Sequence, residues 1–374
     1  MDKNLLKKVV IKIGSSSLSS IDKGLNHKNI RNLVKEIAWL LASNIKVILV
    51  TSGAISMGLY ICDKTRRPTK LSELQYLASI GQIELMQAYK KQFNKVLPGY
   101  HLGQILLTNE DLVSRERYLN AKNALNELLR NSAIPVVNEN DTVAYDEIQF
   151  GDNDVLASTV ANLIEADLLV LFTDQDGLYD KDPTKFSNAK LIECINVDDE
   201  QLKQLAVSSK SSSGIGSGGI KSKILAAQTA SRSGASTVIA KGVGKNFFQK
   251  LFDNQISCTT IVAQKKNITA RQKWMIDNTK PKGIVYLDSG AVNALKIKKK
   301  SLLPVGVIKL TGNFFRGDLL SCLDRDGVEV ARGLSNFSSE DAKKIIGKKA
   351  KTFSDDLENR IDENLIHRDN LVII

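Results

Sequence analysis

Val9-Val10-Ile11-Lys12-Ile13-Gly14-Ser15-Ser16-Ser17 decides how this chain is read, because an apolar run of strand character passes directly into a turn of glycine and serine. A short run rich in Val and Ile, bounded by small turn residues, reads as a strand covered on both faces. Lys12 is out of place inside it. A charge in an apolar strand needs a partner or an exit to solvent at the sheet end. An anionic ligand would be that partner; an exposed edge-strand lysine is the plain alternative.

Working outward, similar runs recur at Val47 to Val50, Ile105 to Leu107, Ile134 to Val137, Leu168 to Phe172 and Thr237 to Ile239. Between them, Asn29 to Ala42, Leu71 to Phe93, Arg115 to Asn131 and Ile220 to Ser231 carry the 3.6-residue periodicity of helices packed on one face. Strand and helix in alternation predict an α/β fold with an open, mainly parallel sheet sandwiched by helices. After about residue 265 the pattern changes to short alternating segments punctuated by Gly and Asp, as in the stretch from Gly283 to Leu295, so a small β-rich domain is expected there. The expected division is a first domain over residues 1–262, a polar linker at 263–281, the β-rich domain at 282–360 and a tail at 361–374.

Composition narrows the function classes. The chain has 374 residues, 43% hydrophobic and 25% charged, which suits a large and a small globular domain and argues against wholesale disorder. No apolar run reaches the ~18 residues of a membrane span, and the opening residues show no signal peptide, so no membrane is expected and a cytoplasmic location fits. The four cysteines, Cys62, Cys194, Cys258 and Cys322, form no CxxC pair, and the three histidines are far apart in sequence. A zinc site or a histidine-driven triad is therefore not expected, and the chemistry must use lysines, carboxylates and backbone amides. The net charge is +11; residues 261–374 hold 21 basic against 14 acidic side chains, and +7 of the excess sits in that last third. Such a surface can attract a polyanion such as RNA, or serve only to keep the protein solvated.

Ligands of open α/β sheets bind beyond the carboxyl ends of the strands, where small-residue turns let N–H groups face an anion. Lys12-Ile13-Gly14-Ser15 is one such turn and Thr51-Ser52-Gly53-Ala54 another. Asn138-Glu139-Asn140-Asp141 closes a third strand, and after an expected hairpin Gly151-Asp152-Asn153-Asp154 opens a helix. Asn and Asp at a helix start serve as caps. Two clusters together also offer groups that can grip an amino group or order lysines and Mg²⁺ around a phosphate. Thr173-Asp174 follows the strand at Leu168 to Phe172. Finally, the loop Gly214 to Lys223 is glycine-rich like a P-loop but departs from that motif, since Gly219 is separated from Lys221 and no apolar strand precedes it.

Taken in order, KIGSSS (12–17), TSGAISMG (51–58), NENDTV (138–143), GDNDVLA (151–157), TDQDGLYDKDP (173–183) and GSGGIKSK (216–223) resemble the amino acid kinase family, in particular its members that phosphorylate glutamate. SLLPVGVIKLTGNFFRGD (301–318) resembles the PUA domain. The resemblance implies transfer of the ATP γ-phosphoryl group to the γ-carboxylate of L-glutamate, with Mg²⁺ accompanying ATP and no protein metal site. It implies that Lys12, Lys223 and Asp154 are catalytic: the first contacts the phosphates, the second stabilises the group in flight, and Asp154 orients both. By the same matching Ser52, Asp141 and Asn153 hold glutamate. Lys12, Thr173, Asp174 and the loop Ser217, Gly218, Gly219, Ile220, Lys221, Ser222 and Lys223 meet the nucleotide. Lys221 has no lysine counterpart in the family's GGMSTK form, so Lys221 and Lys223 are both candidates for the catalytic lysine. Feedback inhibition by proline, a homo-oligomer (dimer or tetramer) and RNA binding through the PUA-like domain are further implications. The rival readings are a kinase of aspartate, N-acetylglutamate, carbamate or UMP, and a regulatory RNA-binding protein without turnover.

Overall fold

The computed structural model describes residues 3–20, 22, 24–144, 153–208, 219–242, 244–263, 281–348 and 364–374. It divides into two compact units, Met1–Asn267 and Ile268–Ile374.

The first unit is built on strands β1 (Lys8–Ile13), β2 (Lys46–Val50), β3 (His101–Leu107), β4 (Ala133–Glu139), β5 (Leu168–Thr173), β6 (Cys194–Asn196), β7 (Ser236–Lys241) and β8 (Thr259–Val262). Among the described residues they form one sheet in the order β3-β4-β2-β1-β5-β7-β8-β6. All neighbours are parallel except β7 and β8, which run antiparallel. Val9, Val10, Ile11 and Ile13 are all fully buried, as a strand with helices on both faces requires.

Helices α1 (His27–Ala42), α2 (Ala54–Ile61), α3 (Leu71–Val96), α4 (Arg115–Arg130), α5 (Asn153–Ile164), α6 (Glu200–Ser208), α7 (Ile220–Ser231) and α8 (Phe247–Phe252) pack around this sheet. In α1, Ile30, Leu33, Val34, Ile37 and Leu40 repeat at helical spacing and are buried in one cluster with Val9, Ile11 and Leu49. Helices α2 and α3 approach backbone to backbone at two glycines. A Cβ on Gly58 would overlap the main chain of Leu77, and one on Gly81 would overlap the carbonyl of Ala54.

The chain leaves β1 toward β2 on one side, whereas α5 carries it from β4 across to β5 on the other. A crevice at the carboxyl end of β1 follows from that reversal. The ends of β1, β2, β4 and β5 and the start of α5 therefore share one edge of the sheet.

The second unit has β9 (Gly283–Leu287), α9 (Ser289–Lys296), β10 (Val307–Gly312), β11 (Leu319–Leu323), β12 (Glu329–Leu334), α10 (Ser339–Ile345) and β13 (Leu371–Ile373). Its sheet order is β10-β9-β11-β12-β13 among the described residues. Within the stretch expected as a tail, residues 364–374 are packed into this unit. Leu371, Val372 and Ile373 pair antiparallel with Gly333, Arg332 and Ala331, and Leu365 and Ile366 lie in the core of this unit. A three-residue strand is too short for its alternation to show in sequence; only the waiting edge of β12 selects it. Most of the expected linker, residues 264–280, lies outside the described residues.

Candidate active site

Lys12 lies near the end of β1, paired in register with Val50 of β2 and Leu171 of β5, and is only 6% exposed. Its side chain turns over Gly14, where a Cβ would stand 3.7 Å from the ammonium. At that end it meets the carboxylate of Asp154, Nζ to Oδ1 at 2.5 Å. Lys223, from the first turn of α7, meets the other oxygen, Nζ to Oδ2 at 3.2 Å. Ser222 Oγ also donates to Oδ2, at 3.2 Å. One buried carboxylate thus holds two buried ammonium groups.

Burial alone would push the Asp154 carboxyl up, but Lys12 and Lys223 outweigh it and hold the group at about 2. Asp154 stays ionised and the cluster carries a net positive charge. The local structure of α7 agrees with an anion-accepting role. Its N-cap is Gly219, which offers no side-chain cap, and its first turn holds Lys221 and Lys223 with no acidic residue. Cations at the positive end of a helix are unfavourable unless a negative partner is close.

Beside this cluster lies a chain of amides. Asn153 Nδ2 donates to the carbonyl oxygen of Thr51 at 2.6 Å, to Ser52 Oγ at 3.0 Å and to Asn138 Oδ1 at 2.9 Å. Asn138 Nδ2 in turn donates to Gln82 Oε1 at 2.9 Å. The turn that presents Ser52 depends on Gly53, whose φ of 103° is open to glycine and strained for other residues. Tyr89 braces the same turn, its hydroxyl 2.9 Å from Thr51 Oγ1.

Asp141 follows β4, and burial raises its carboxyl to about 6, with Arg67 opposing the rise. A carboxyl desolvated at a sheet edge beside other polar groups is a mark of a ligand site. Thr173 ends β5, and its hydroxyl donates to Asp174 at 2.9 Å. Lys221 is exposed.

Of the expected residues, Lys12, Asp154, Ser222 and Lys223 are joined by direct contacts. Ser52 and Asn153, the latter next to Asp154 in the chain, are joined to each other, and Thr173 with Asp174 closes the neighbouring strand. Ser217 and Gly218, and the hairpin expected before Gly151, lie outside the described residues. Between the two candidate lysines, the geometry sets Lys223 against Asp154 and leaves Lys221 in solvent.

The family model described as the amino acid kinase family matches residues 7–241, and the PUA domain model matches residues 283–356. The chain belongs to the amino acid kinase family. Within it, glutamate 5-kinase of Burkholderia cenocepacia (strain HI2424) is 44% identical over 368 residues, covering 98% of this chain and 98% of that protein. Glutamate 5-kinases of Cupriavidus pinatubonensis (strain JMP 134 / LMG 1197) and Pseudomonas putida (strain KT2440) are 43% and 42% identical over the same share of each chain. Among solved structures, UMP kinase from Ureaplasma parvum aligns with a TM-score of 0.45 and 15% identity over 69% of this chain and 99% of that one, a likeness too slight to carry an argument.

For this amino acid kinase, sequence reading missed Gln82, Tyr89 and Arg67, which belong to no motif. Gln82 did leave a signal. It occupies the buried stripe of α3 formed by Leu74, Leu77, Ala78, Leu85 and Ala88, where a polar residue needs a hydrogen-bond partner.

Proposed function

We propose that this chain transfers the γ-phosphoryl group of ATP to the γ-carboxylate of L-glutamate, releasing ADP and L-glutamyl 5-phosphate, the first step of proline synthesis. The observation that carries this reading is the convergence of Lys12 and Lys223 on Asp154, beside the amides of Asn138 and Asn153.

The chemistry asks for positioning and charge neutralisation. A carboxylate oxygen attacks the γ-phosphorus, a P–O bond forms to it, and the bond to the β–γ bridging oxygen breaks, leaving on ADP. Two anions must meet, and at ~4 Å their repulsion in a partly buried site is on the order of 4 kcal/mol. Lys12 and Lys223 offset that repulsion, and Asp154 keeps both ammonium groups pointed at the phosphate position. No general base is required, because the nucleophile is already ionised at neutral pH. Thr173 and Asp174 face the nucleotide, and Ser52, Asp141 and Asn153 take the amino acid.

Mg²⁺ supplies further neutralisation when bound with ATP. Asp154, committed to two lysines, orders the ammonium groups that would share this neutralisation with the ion. No helix among the described residues is long and apolar enough to cross a membrane.

The test is ADP release measured with glutamate, aspartate, N-acetylglutamate and UMP as acceptors. Release that depends on L-glutamate is expected. Release that depends on another acceptor, or salt-sensitive RNA binding without any ATP turnover, overturns the reading.

A further inference from the structure

We infer that Gln82 is a positioning residue for the amino acid substrate: it locks the Asn138 amide, whose oxygen joins the Thr51 carbonyl in holding the Asn153 NH₂ group, so that the Asn153 carbonyl oxygen is held ready for the substrate's α-ammonium group. The inference rests on the glutamate reading above and deepens it.

The direction of the amide chain is set at one end by a group that has no choice. The Thr51 main-chain carbonyl can only accept, so the Asn153 atom 2.6 Å away must be the donor nitrogen. That nitrogen also lies 2.9 Å from one Asn138 atom, which must then be the oxygen. Asn138 consequently presents its own NH₂ to Gln82, which answers with Oε1 at 2.9 Å. Each amide is polarised by the one before it, and any single flip would set donor against donor or oxygen against oxygen.

The far end of the chain records the cost of this arrangement. Gln82 Nε2 is buried and has no hydrogen-bond partner among the described residues. A buried orphan donor is unfavourable, and a glutamine keeps one only where its oxygen is needed on the other side. At the near end, Asn153 Oδ1 accepts from no group among the described residues, while Nδ2 makes all the amide's contacts. What the relay leaves on offer is an acceptor, which suits an ammonium group and not a second anion. With Gln82, Asn138 and Asn153 at 9%, 2% and 7% exposure, water has little access to replace a missing link.

The experiment compares Gln82→Met, which keeps length and removes both polar atoms, with Gln82→Glu, which keeps an acceptor for Asn138. Steady-state kinetics with L-glutamate, inhibition by glutarate, which lacks the amino group, and melting temperature are measured for both and for the wild type. In Gln82→Met the KM for L-glutamate is expected to rise about tenfold, the scale of one hydrogen bond to a charged group, with kcat and the KM for ATP within about threefold. The wild-type preference for L-glutamate over glutarate should shrink by the same factor. Gln82→Glu should restore both to within about threefold.

A Gln82→Met enzyme that folds and keeps the wild-type KM and preference overturns the proposal. So does a loss in kcat alone, or a Gln82→Glu variant as impaired as Gln82→Met. Wild-type ADP release that ignores L-glutamate overturns the glutamate reading itself, and this proposal with it. The two failures are thus told apart by the wild-type control.

Discussion

Lys12 and Lys223 grip opposite oxygens of a single carboxylate, that of Asp154, at 2.5 and 3.2 Å, although one comes from the first strand and the other from a helix late in the same unit. Their ammonium groups are therefore held close together without a phosphate, and Asp154 is what offsets their mutual repulsion.

Lys223→Ala should lower kcat by about 10²- to 10³-fold, the usual loss on removing one preorganised donor from developing charge. The KM for glutamate should stay within about threefold, because the lysine acts on the moving phosphoryl group. Lys221→Ala, at an exposed position, should cost less than about tenfold in kcat. Initial-rate measurements decide this, and undiminished turnover in Lys223→Ala removes that lysine from the mechanism.

Asp154→Asn should destabilise the fold by about 3–5 kcal/mol, since it removes the carboxylate that both buried ammonium groups share. Added ADP should then raise the melting temperature more than it does in the wild type, because the diphosphate replaces the lost counter-charge. The pH dependence follows from the depressed carboxyl. Its stabilisation is present above the unfolded value of about 3.9 and is lost as pH falls toward about 2. In Asp154→Asn the stability curve should flatten across that window, as read by denaturant unfolding at each pH.

Asp141 is raised to about 6 by burial, so it is largely ionised at pH 7 and largely protonated at pH 5. If the ionised form takes the substrate's ammonium group, the KM for glutamate should rise about tenfold between pH 7 and pH 5 while the KM for ATP changes little. Asp141→Asn should show a raised KM without that pH dependence. A wild-type KM that is flat over this range would detach Asp141 from the substrate.

Gly81→Ala places a Cβ into the Ala54 carbonyl and the Gly58 amide, where neither neighbour is a flexible side chain. Forced apart, α2 and α3 should lose about 3 kcal/mol of stability. The urea midpoint reports that loss. Because Gln82 is the next residue, the KM for glutamate should rise in the same variant.

Much of the site was legible because its parts sit at strand ends. Lys12 stood out as a charge in an apolar run, and Asn153 and Asp154 as polar residues opening a helix, each through a local pattern that chemistry makes unusual. Gln82 was visible only as a polar residue on an apolar stripe, which says that a partner exists and not which one. Arg67 and Tyr89 reach their places by folding alone. The antiparallel strand β8 and the short strand β13 escaped for another reason: a few residues pair where an edge is open, and pairing partners far along the chain leave no local mark.

By itself, the order of apolar runs and small-residue turns determined an α/β fold with small-residue turns at its strand ends, since strand and helix periods and turn composition are properties of neighbouring residues. Tertiary structure alone decided that Lys223 rather than Lys221 faces Asp154, and which way the Asn153 amide points. Both depend on groups brought within hydrogen-bond distance by the sheet, and such a bond is set by position in space, which spacing along a chain does not specify.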